Sequence, residues 1–217
     1  MPIDPIRILI CAAAGVVCGI VCILWVRFLL QKRKADYSLS PGKEKLICAL
    51  MAFPGAAVGA LLTDVVPIVC GMLLLCLCMT FSLTDWMHRI IPNPTVLGLL
   101  ILKAAGIPTL FGVAGFLPFD IVGSLLGLVV CFLIFSLPAL FGKKVGAGDV
   151  KIAAAMGFFL GLSHSLLAVM IMGLLVILFG MMQRKMTILN YLRSMIPMGP
   201  FIAIGLFVIY LGSFYLP

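Results

Sequence analysis

From Ile8 to Leu30 the chain reads ILICAAAGVVCGIVCILWVRFLL, and Arg27 is the one charge in it. A helix that crosses a bilayer needs about 20 consecutive apolar residues, so this run is long enough to span. Comparable runs follow, and the spans are placed at 6–30, 45–62, 66–86, 94–112, 118–141, 149–162, 164–183 and 197–215. Over the 217 residues, 64% are apolar and 10% charged, with a mean hydropathy of +1.31. These values lie far from those of a soluble domain. The expected fold is all-α: a polytopic membrane protein of about eight transmembrane helices, with residues 1–217 as a single integral membrane domain.

The breaks between spans have physical causes. Pro41-Gly42, Thr63-Asp64, Pro92-Asn93-Pro94 and Pro118 are turn or helix-stop signals. Residues 149–183 would make one helix too long for a single crossing, and Gly161-Leu162-Ser163-His164-Ser165 is the expected turn within it. The sixth span is then short, about 21 Å at 1.5 Å per residue, and needs shielding by its neighbours. The cations give an independent check. Lys32, Arg33, Lys34, Lys43, Lys45, Arg89, Lys143, Lys144, Lys151, Arg184, Lys185 and Arg193 are twelve of the 15 basic residues, and all fall on one side of an eight-span topology. The positive-inside rule places that side in the cytoplasm and both termini outside. Basic residues so placed are topological anchors beside anionic headgroups, and no nucleic-acid partner is expected despite the net charge of +8. Eight cysteines lie in apolar runs and none forms a C-x-x-C pair, so no metal is expected.

Seven acidic residues remain to be placed. Asp4 is terminal, Asp36 and Glu44 lie in the basic first loop, and Asp64 and Asp120 suit an outer turn and a helix cap. Asp85, in TDWMHRIIPNP, is at the inner end of the third span. Asp149, in KKVGAGDVK, is at the inner start of the sixth. Span parity brings both to one membrane depth, where a catalytic pair is possible.

Such a pair suits peptide hydrolysis. Two adjacent carboxyls share a proton; the ionised one activates water and the neutral one protonates the scissile amide. The helix dipole favours Asp149 as the ionised member, and Arg89, four residues after Asp85, is able to reverse that assignment. Gly146 and Gly148 offer backbone angles closed to other residues and allow close approach of another chain. A transporter using intramembrane acids is the alternative, although it predicts acids near the midplane and internal repeats.

Asp85 through Ile91-Pro92-Asn93, then Gly146-Ala147-Gly148-Asp149-Val150-Lys151, then Ile196-Pro197-Met198-Gly199-Pro200-Phe201 together resemble the type IV prepilin peptidases, membrane aspartyl proteases with a G-x-G-D motif. The resemblance extends over about 45–215. It implies Asp85 and Asp149 as catalytic aspartates, with Gly146, Gly148, Lys151, Pro92, Asn93, Pro197, Gly199 and Pro200 shaping the site. It also implies removal of a short basic leader from prepilin-like substrates at the cytoplasmic membrane face, in a multi-pass protein of the cytoplasmic membrane that serves pilus or secretion assembly indirectly. The loop at 31–44 has no cysteine, so the chain is similar to the compact forms without a cytoplasmic zinc domain. Proteolysis needs no cofactor; S-adenosylmethionine is implied only where N-methylation is retained.

Overall fold

The computed structural model describes residues 4–105, 120–140, 146–182 and 197–215. Its helices are α1 (Pro5–Lys32), α2 (Pro41–Leu50), α3 (Ala52–Leu61), α4 (Val65–His88), α5 (Asn93–Ala105), α6 (Ile121–Leu140), α7 (Ala147–Leu160), α8 (Leu162–Met182) and α9 (Gly199–Gly212). There is no strand among the described residues. With α2 and α3 taken as one run, the eight expected spans each have a helix. Five are long and apolar enough to cross a membrane: α1, α2–α3, α4, α6 and α8. The cations Lys143, Lys144, Arg184, Lys185 and Arg193, together with Pro118 and Ile196, lie outside the described residues.

Two boundaries differ from expectation. The span expected at 45–62 begins at Pro41 and is interrupted at Met51. Pro54 explains the break, because it has no N–H to give to Leu50 and the helical ladder must skip a rung there. The turn expected across 161–165 is contracted to Gly161, whose φ of 80° and ψ of 174° end α7. This is a conformation essentially reserved to glycine, and α8 starts at the next residue.

Small residues set how the helices meet. A methyl group at Gly15 would overlap the Met51 carbonyl, so α1 and α3 touch backbone to backbone there. Gly127 of α6 and Gly157 of α7 are each pressed against the other's carbonyl. Hydrocarbon tails are as apolar as leucine, so close backbone approach of this kind substitutes for a hydrophobic driving force.

The densest packing lies at the centre. Phe81 and Leu74 of α4, Leu99 of α5, Ile152, Met156 and Phe159 of α7, and Ile202, Leu206 and Tyr210 of α9 are fully buried. The outer faces of α1, α6 and α8 expose leucine, isoleucine, valine and phenylalanine, the surface expected against lipid. α7 and α9 have 14 residues each. α7 packs chiefly on the longer α6, and α9 on the longer α4 and α8, so the shielding expected for the short sixth span is present. These two helices and α4 carry the candidate site.

Candidate active site

Asp85 lies in the last turn of α4 and is 4% exposed. Its Oδ2 accepts a hydrogen bond of 2.7 Å from the backbone N–H of Gly199, the first residue of α9. A Cβ placed on Gly199 would lie 2.8 Å from the Asp85 Cβ and 2.9 Å from Oδ2. Pro200 occupies the first turn of α9, where its fixed φ and missing N–H suit a helix start.

Asp149 is half-buried in the first turn of α7, three residues after the N-cap Gly146. Its carboxylate folds back over that cap, and a Cβ on Gly146 would sit 2.7 Å from Oδ2. Gly148 meets Ile91, whose Cβ would be 3.1 Å from a methyl group there. Neither glycine adopts a positive φ. The expectation of unusual backbone angles is therefore corrected: both positions are small because Asp149's own side chain and Ile91 occupy the space beside them.

Residues 89–92 connect α4 to α5, touching Asp85 through Arg89 and Gly148 through Ile91. α4 closes on Arg89 in the left-handed conformation (φ 54°, ψ 38°), its N–H donating to the Asp85 carbonyl at 2.8 Å. Ile91 and Pro92 are buried. The Pro92 carbonyl accepts from the Thr95 hydroxyl at 2.7 Å and its N–H at 3.1 Å. α4 and α7 hardly touch; α5 and α9 each pack on both, and so set the spacing of the pair. Even so, the Asp85 charge acts on Asp149, and Arg89 is the cation that acts on Asp85. Arg89 forms no ion pair among the described residues, where Arg27–Glu44 is the one found.

Of the residues expected at the site, Gly146 and Gly199 lie against the carboxylates, Gly148 lies against Ile91, and Pro92 is the buried residue that follows Ile91. Lys151 and Asn93 are exposed and make no hydrogen bond to either aspartate among the described residues; Pro197 is half-buried just before α9. His88 turns away from the pair, its Nε2 lying 2.7 Å from the Asp36 carbonyl of the first loop. Sequence reasoning overlooked Thr80, Thr84 and Thr95, all buried. Thr80 and Thr84 bond to carbonyls of their own helix, the former to Cys76 at 2.8 Å and the latter to Thr80 at 3.0 Å. Two threonines four apart in a greasy helix, just before an aspartate, were the available signal.

Residues 72–181, half of the chain, match the model of the type IV leader peptidase family. The chain belongs to the type IV leader peptidase family. The matched segment carries Asp85, Pro92, Asn93, Gly146, Gly148, Asp149 and Lys151, while Pro197, Gly199 and Pro200 lie beyond it. Membership in the type IV leader peptidase family supports a prepilin-peptidase-type membrane protein, in keeping with the five long apolar helices. No curated protein and no solved structure matches the chain.

Proposed function

We propose that this protein is an aspartic endopeptidase that removes the leader from type IV prepilin-like precursors at the cytoplasmic face of the membrane. The observation that carries this reading is the meeting of Asp85 with Gly199 at one end of the bundle, with Asp149 across the Ile91–Gly148 contact. The pair activates one water. One carboxylate takes a proton from the water as its oxygen attacks the scissile carbonyl carbon; the other, protonated, hydrogen-bonds the carbonyl oxygen. Collapse of the tetrahedral intermediate breaks the C–N bond, and the departing amine takes a proton from the pair. A backbone N–H favours the ionised form of its acceptor. The hydrogen bond from Gly199 to Asp85 supports Asp85 as the base and Asp149 as the acid, the reverse of what the helix dipole alone suggests. The proton belongs to the pair, so the rate should follow a bell-shaped pH profile.

Co-expression with a prepilin precursor tests the assignment. Asp85→Asn and Asp149→Asn are each expected to lower cleavage by roughly 10³-fold or more at unchanged expression, as for residues that act as a unit. Intact mass of the product reports leader loss and, by the presence or absence of one added methyl, whether S-adenosylmethionine is used. Cleavage that survives both substitutions would sink the two-aspartate mechanism.

A further inference from the structure

A groove of about 460 Å³ lies between α1 and α2, away from the aspartates, and is lined by Val16, Ile20, Ile23, Leu24, Arg27, Glu44, Lys45, Cys48 and Ala49. It changes character along its length. Val16, Ile20, Ile23 and Leu24 form an apolar wall along one helix, and Cys48 and Ala49 face them from the other. Arg27, Glu44 and Lys45 form the mouth. Arg27 is held by Glu44 at 2.5 Å and lies 4.9 Å over the ring of Tyr37. The Tyr37 hydroxyl has its pKa pushed up to about 12, chiefly by burial. Lys45 is exposed. One anion against two cations leaves the mouth positive.

We propose that this groove is a binding site for an anionic phospholipid, an acyl chain lying along the apolar wall and the phosphate resting on Lys45 and the free edge of Arg27. An apolar wall within a bilayer must be covered, and a hydrocarbon chain covers it without a polar group to satisfy. The charge at the mouth selects the headgroup: a basic residue at the membrane surface favours an anionic lipid, whereas a zwitterionic one gains little. An apolar helix from a protein partner would cover the wall but would not need the cations.

The test is native mass spectrometry of the purified full chain titrated with phosphatidylglycerol or phosphatidylcholine of identical acyl chains. Wild type should retain the anionic lipid in preference. Lys45→Gln should reduce that preference about fivefold, the effect of one surface cation. Lys32→Gln, outside the groove, should leave it unchanged. Ala49→Leu, which fills the apolar part at an exposed position, should lower occupancy by both lipids. Equal retention of the two lipids by wild type would overturn the proposal. So would equal losses in Lys45→Gln and Lys32→Gln, which would show a diffuse basic surface, or undiminished binding in Ala49→Leu.

Discussion

Gly199 has no room for a side chain. A methyl group there would press on both the Cβ and Oδ2 of Asp85, and the bundle packed behind this buried residue cannot yield as a surface would. Gly199→Ala is expected to turn the carboxylate out of place, lowering kcat at least tenfold in a leader-cleavage assay. Gly146→Ala offers a sharper separation of folding from function. The atom in its way is the carboxylate of Asp149, the free end of a movable side chain. The protein should fold and express normally while cleavage falls. A variant that cleaves at the wild-type rate would show that the pose of Asp149 over its helix cap is not the working one.

At the scale of the element, Gly161 permits α7 and α8 to meet without a loop. Gly161→Ala is expected to cost roughly 1–3 kcal/mol, the usual cost of forcing a side chain into that region of backbone space. A thermal melt followed by circular dichroism would read it. Elements were well legible in the sequence, because a bilayer demands long apolar helices and prolines and glycines punctuate them. Asp85 and Asp149 were legible for a related reason: a carboxylate has few harmless places in so apolar a chain. What was hidden depended on contacts between segments far apart. Nothing near residue 85 announces that the N–H of Gly199 lies against it, and nothing near Gly148 announces Ile91. The break at Met51 was readable from Pro54, yet the apolar pattern continues unbroken through it. Arg89 in a left-handed conformation was also concealed, since the usual sign of such a helix end is glycine.

At the scale of the molecule, the asymmetry of the cations gives a testable orientation. Ser38 and Ser163 are both exposed, at what should be opposite faces. An impermeant maleimide applied to intact cells is expected to label Ser163→Cys, and to reach Ser38→Cys only after the membrane is opened. The reverse pattern would invert the topology and overturn the proposed placement of the aspartates at the cytoplasmic face.

The contact between Gly199 and Asp85 also has a counterpart. Near the opposite end of the same two helices, the Tyr210 hydroxyl donates to the Pro67 carbonyl at 2.8 Å. α4 and α9 are therefore riveted at two points, whereas α7 hardly touches α4. Asp85 is thus carried by the α4–α9 pair and Asp149 by α7, which packs chiefly on α6. Amide hydrogen exchange should find the Gly199 N–H among the slowest in the protein.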